Sequence, residues 1–158
     1  MIKILQSALF IYSIAFTIAV QAQSGTSNMT ENEVIVREFI AAWANLDPVQ
    51  LASYFTEDGV YHNMPSNPIR GRANIQAFIA GFIRPWQETD WDIISLVAAG
   101  NTVIAERADR TKVSDQLVVL PVVGVFIMAD GKIKEWRDYF DLNSYMEQLN
   151  AALERANN

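Results

Sequence analysis

Cysteine is missing from the 158-residue chain altogether, and histidine occurs once, at His62. Without cysteine there are no disulfides, no thiolate nucleophile and no cysteine-zinc site. A single histidine excludes a histidine-rich metal cage and a two-histidine zincin helix. The sequence also has no glycine-rich dinucleotide or phosphate loop. Basic charge is short as well: 12 Lys and Arg stand against 18 Asp and Glu, a formal net charge of −6. So acidic a surface repels nucleic acid and anionic lipid. Beyond residue 20 no run is long and apolar enough to span a bilayer. Chemistry in this chain therefore falls to carboxylates, arginine, tyrosine and amides.

The first residues read as an address. Lys3 supplies a basic start, Ile4 to Val20 form a hydrophobic run, and "AVQAQS" offers small residues suited to signal peptidase, so cleavage is expected after Ala22, exporting the domain to a periplasmic or secreted location. Gln6, Ser7, Ser13 and Thr17 dilute a run already at the short end of the spanning range, which argues against an uncleaved anchor. Lys3 is the one charge in residues 1–22, so the remaining 136 residues carry −7. They suffice for one domain and leave no room for a second. Residues 23–29 form a polar leader containing a glycosylation sequon at Asn28, and the folded domain is expected over 30–158.

Element signals follow. "TENE" from Thr30 is a capping box ahead of Ile35, Phe39, Ala42 and Trp43 at helical spacing. Asp47 and Pro48 predict an N-cap and first position of a short helix through Tyr54, stopped by "EDG". "GVYHNM" reads as a short strand and "PSNP" as a loop. Ile75, Phe78, Ile79 and Phe82 then make the stripe of a third helix. Four extended runs come next, with "GN" and "ADG" as hairpin turns and a looser polar connection over Thr111 to Asp115. A last helix is predicted from near Leu142, with Tyr145, Met146 and Leu149 on its inner side. Helices and a hairpin-connected sheet indicate an α+β domain.

Strand parity isolates the polar residues that face inward. In "TVIAERADRT", Val103, Ala105, Arg107, Asp109 and Thr111 share one face; in "EWRDYFD", Trp136, Asp138 and Phe140 do; in "VYHN", Tyr61 goes with Asn63 and His62 points elsewhere. Each alone reads equally well as structure: Arg107 with Asp109 as an ion pair, Asp138 as a satisfied core carboxylate, Tyr61 with Asn63 as a hydrogen-bonded edge. His62 reads as a surface or core residue, and Trp136 and Phe140 as either core or pocket lining. A carboxylate removed from water costs several kcal/mol or more without a partner, so two aspartates and an arginine on inward faces of one small sheet require an account.

"YHNMP", "ERADR" and "WRDYFDL" resemble, in order and spacing, the corresponding segments of the limonene-1,2-epoxide hydrolase family, from about Thr30 to Leu149. The resemblance implies a SnoaL-like, nuclear-transport-factor-two-like fold, also described as a cystatin-like barrel: a curved mixed or antiparallel sheet forming a cone-shaped pocket wrapped by helices. It implies cofactor-free, one-step hydration of a small apolar epoxide, limonene-like or cyclic, to a vicinal diol. Carried over by residue, Asp138 matches the general base, Asp109 the general acid and Arg107 the arginine between them. Tyr61 and Asn63 match the groups that hold the attacking water with the base. Phe140, Leu120 and Val122 are expected to line the substrate pocket. A homodimer is implied too, and Leu117 to Val123 is apolar at both parities, as a strand covered on both faces should be. The same fold serves ketosteroid isomerase, polyketide cyclases and non-catalytic binders. A proton-transfer isomerase or cyclase and a hydrophobic ligand-binding protein are therefore the alternatives.

Overall fold

The computed structural model describes residues 29–155. The candidate signal sequence 1–22, its cleavage site after Ala22 and the Asn28 sequon lie outside the described residues. The chain runs α1 (Glu31–Ala42), a short 3-10 turn (Trp43–Asn45), α2 (Pro48–Ser53), β1 (Phe55–Asn63), β2 (Ile69–Arg70) and α3 (Arg72–Phe82). Four long strands follow, β3 (Trp86–Ala99), β4 (Thr102–Val113), β5 (Gln116–Ala129) and β6 (Lys132–Tyr139), and then α4 (Leu142–Arg155).

Both predicted helix starts are built as local chemistry dictates. The Thr30 hydroxyl accepts from the Glu33 amide at 3.2 Å while the Glu33 carboxylate accepts from the Thr30 amide at 2.6 Å. Asp47 Oδ1 accepts from the amides of Val49 and Gln50, 2.8 and 3.1 Å away, with Pro48 in the first turn where its missing N–H costs nothing. Two local readings differ. "EDG" lies inside β1, which already starts at Phe55; between Phe55 and Val60 the register against β6 shifts, so the exposed acidic residues sit in a bulge while Phe55 is fully buried. The connection expected to be loose over Thr111 to Asp115 is instead a tight two-residue turn: Ser114 and Asp115 have φ of 49° and 59°, and Asp130 and Gly131 repeat the pattern at 50° and 69°.

The six strands form one mixed sheet in the order β2-β1-β6-β5-β4-β3, with β1 parallel to β6 and all other neighbours antiparallel. Its edges, β2 and β3, do not pair with each other, so the sheet stays open and does not close into a barrel. Helices α1 and α3 cover its inward face, α1 packing toward β3 and β4 and α3 toward β1 and β2, and Val36, Phe39, Ile40, Ile75 and Ile79 join Val103, Ala105, Phe126 and Trp136 in one buried core. Phe39 meets the Trp136 ring edge-on, 5.0 Å between centroids at 87°. Each such large side chain taken fully from water contributes about 1.5–3 kcal/mol.

β5 is the strand that shapes the site. It pairs with β4 from Gln116 onward but meets β6 only from Val123. Pro121 sits in the part without a second partner strand, where its missing N–H interrupts no β5–β6 ladder. On that free edge α4 docks instead: the Gln148 amide accepts from the Val119 N–H at 2.9 Å and donates to the Val119 carbonyl at 3.0 Å, standing in for a strand.

Candidate active site

The burial of β4 alternates strictly from Val103 to Val113, which turns Arg107, Asp109 and Thr111 inward. β6 does the same for Trp136 and Asp138. β5 separates these strands, with Gly124 registered to Ala105 on one side and Asp138 on the other. Arg107 reaches across that glycine. Its Nε donates to Asp109 Oδ1 at 2.8 Å and its Nη2 to Asp109 Oδ2 at 3.2 Å. It also donates to Asp138, from Nη1 to Oδ1 at 3.1 Å and from Nη2 to Oδ2 at 2.5 Å. One guanidinium thus forks onto two carboxylates, the geometry that distinguishes arginine from lysine.

The surroundings are aromatic. The Arg107 guanidinium carbon stands 4.7 Å from the Trp91 ring centre and 5.3 Å from that of Trp136. Trp136 Nε1 donates to Asp138 Oδ1 at 2.6 Å. Through the parallel β1–β6 register, Tyr61 lies beside Trp136 and Asn63 beside Asp138. The Tyr61 and Trp136 rings stack at 4.2 Å and 6°. His62, on the other side of β1, is tied to the Ser66 carbonyl at 2.9 Å.

Burial dominates the electrostatics. It pushes Asp109 up to about 7, helped by the charge of Asp138 and opposed by Arg107. Asp138 is raised by burial too, against the pull of Arg107 and of hydrogen bonds from Arg107 and Trp136. Tyr61 is held well above its ordinary value, first by burial and then by Asp138, and so keeps its proton. Asp138 has a donor that Asp109 lacks, the Trp136 indole. One protonated and one ionised aspartate around Arg107 leave the trio neutral overall, the arrangement a low-dielectric site favours.

A cavity opens in front of this trio, with Asp109, Asp138, Tyr61 and Asn63 on its polar side. Leu120, Val122 and Phe140 line the apolar remainder, joined by Phe82, Trp86, Trp91, Val118 and Tyr145. Arg107, fully buried, lies behind the carboxylates. The structure thus brings together all eight residues singled out from the sequence. Parity reasoning missed the indole donor on Asp138 and the role of Gly124. The only trace of the latter is a glycine inside "LPVVGVFIM", where a strand interior calls for a side chain.

Residues 36–136 match the SnoaL-like domain. The epoxide hydrolase EphG of Mycobacterium tuberculosis is 32% identical over 117 residues, covering 72% of this chain and 76% of that protein. The solved structure of an LEH-like epoxide hydrolase from M. tuberculosis superposes with a TM-score of 0.67 at 29% identity, over 78% of this chain and 92% of that one. A Shewanella putrefaciens protein named as a SnoaL-like polyketide cyclase gives a TM-score of 0.70 at 17% identity, over 78% and 99% of the two chains, a likeness of fold alone.

Proposed function

We propose that this chain, which belongs to the SnoaL-like domain family, adds water to a small apolar epoxide, limonene-like or otherwise cyclic, and releases a vicinal diol in one step without a cofactor. Opening an epoxide needs a proton for the departing oxygen and a nucleophile arriving from the opposite side, so acid and base must flank the ring with room for water. Asp109, raised to about 7, is the acid. Asp138 is the base, and Tyr61 and Asn63 hold the water it deprotonates. Arg107 fixes both carboxylates in one geometry and keeps their shared charge balanced. The observation that carries this reading is the single buried arginine bonded to two aspartates at the wall of an apolar cavity. The similarity to a mycobacterial epoxide hydrolase supports the same chemistry.

A single turnover in oxygen-18 water tests it. Label in the diol and none in the protein is the expected result. An unlabelled first-turnover diol means that an aspartate attacked carbon and that Asp138 is not a base. A product with no solvent oxygen on any epoxide substrate indicates an isomerase or cyclase of the same fold. Export after cleavage at Ala22 belongs to the same proposal, and the mass of the protein recovered from the producing cells checks it.

A further inference from the structure

A buried polar side chain of the cavity wall is not used by this chemistry. Thr111 lies on the Asp109 face of β4, two residues further along, is 5% exposed and lines the cavity. Its hydroxyl oxygen is 2.7 Å from that of Thr89, its register partner on β3. Thr89 Oγ1 is also 2.9 Å from the Arg110 carbonyl and 2.9 Å from Trp91 Nε1. A carbonyl cannot donate and an indole N–H cannot accept. The three bonds can all form in one arrangement only. Thr89 gives its proton to the Arg110 carbonyl, takes one from Trp91 and takes the other from Thr111. The Thr111 proton is therefore committed to the wall, and its oxygen, on a residue that lines the cavity, keeps only acceptor capacity.

From this fixed direction we infer that Thr111 is a specificity-determining residue that selects substrates carrying a hydroxyl group. Resting on the epoxide reading, the inference narrows the substrate class from plain hydrocarbon epoxides to epoxy alcohols. Residues two apart on a strand face are separated by roughly 7 Å at the backbone. The hydroxyl accordingly belongs on an arm of a few carbons, with the epoxide oxygen at Asp109 and the O–H donating to Thr111 Oγ1. A site built around a buried acceptor disfavours a ligand that leaves it unpaired.

The test compares cyclohexene oxides bearing hydroxyalkyl arms of two to four carbons with counterparts bearing plain alkyl arms of matching length. Wild type is expected to favour the best hydroxylated member by roughly 10-fold in kcat/KM. Thr111→Val should bring that ratio close to one, and Thr111→Ser, which retains the oxygen, should restore it. Equal kcat/KM for both series in the wild type, or a preference that survives in Thr111→Val, overturns the inference while leaving epoxide hydrolysis standing. Dissociation constants of the corresponding hydroxyalkylcyclohexanes and alkylcyclohexanes, read from the cavity tryptophans, give a measure independent of turnover. A hydroxyl preference there that Thr111→Val abolishes, with neither epoxide series hydrolysed, sustains the acceptor and overturns the epoxide reading. Absence of that preference overturns the acceptor whatever the turnover.

Discussion

Gly124 and Arg107 are packed so closely that a Cβ added to the glycine would stand 2.5 Å from Nη1 of the guanidinium. The same atom would lie 2.9 Å from the Phe126 ring and 3.0 Å from Asp138 Oδ1. Side-chain Cβ atoms do not approach this closely, so the arginine crosses from β4 to β6 because the strand between them has no side chain at that position. Gly124→Ala should displace Arg107 or Asp138. A misplacement of about 1 Å costs roughly 100-fold in rate, and overpacking costs about 1–3 kcal/mol of stability. Kinetics and thermal unfolding together check both parts; native activity in Gly124→Ala would mean that Arg107 has another path to Asp138.

The carboxylates and the arginine should fail differently. Asp138→Asn and Asp109→Asn each remove a proton acceptor or donor at nearly constant shape, so turnover should fall by roughly 100- to 10,000-fold in a folded protein. Arg107→Ala also strips two buried aspartates of their counter-charge, so it should destabilise the fold by about 3–5 kcal/mol as well. Circular dichroism melts beside the rate measurements separate the two classes. Near-native rates in both Asn variants would defeat the two-carboxylate mechanism.

Activity and stability should both respond to the raised Asp109. As the acid it must hold its proton, so kcat/KM should fall as pH rises through about 7. The native state holds that proton more tightly than the unfolded chain does, because burial lifts the folded value above the ordinary 3.8. The associated stability is fully present below about pH 4 and is lost as pH rises toward and through about 7. Denaturant titrations between these limits should show a slope that Asp109→Asn flattens. An unchanged slope in that variant would assign the dependence to another group.

Gln148 holds α4 on the open edge of β5 by two bonds to Val119, and the same helix carries Tyr145 to the cavity wall. Gln148→Ala leaves a partly buried N–H and carbonyl to find water, at about 1–3 kcal/mol. The expected result is a several-fold rise in KM with a smaller change in kcat, together with faster amide exchange at Val119. Unchanged KM and exchange would show that apolar contacts alone seat the helix.

The outward side of the sheet carries an apolar row, Val97, Ile104 and Val125, aligned across β3, β4 and β5, with Val123 and Leu117 exposed on the same strand as Val125. Val97 and Leu117 are 62% and 61% exposed. A homodimer that covers this row is the predicted assembly. Sedimentation at micromolar concentration should give a dimer, and Val97→Glu should shift it toward monomer with the melting curve of a folded domain. A monomeric wild type would remove the prediction.

Much of this protein is legible along the chain because its determinants are local. Thr30 with Glu33, and Asp47 with Pro48, set helix starts through bonds that span three residues or fewer. The two-residue side-chain period of β4 put Arg107, Asp109 and Thr111 on one face, whatever the strand's neighbours. The tight Ser114–Asp115 turn escaped a local reading because positive φ at two non-glycine residues is unfavourable in isolation and is imposed by the ladders it joins. Strand order is not local at all. The parallel pairing of β1 with β6 sets Asn63 beside Asp138 and Tyr61 on Trp136, across more than 70 residues of chain. The same order laid Gly124 between Arg107 and Asp138, and so joined Asp138 to an Arg107–Asp109 pair whose own bonds lie within β4. By itself the sequence determined which side chains face inward and which stand two apart on one strand, as Arg107 and Asp109 do; only the assembled sheet decided which residues of different strands meet, because facing is a property of one strand and that meeting is a property of several.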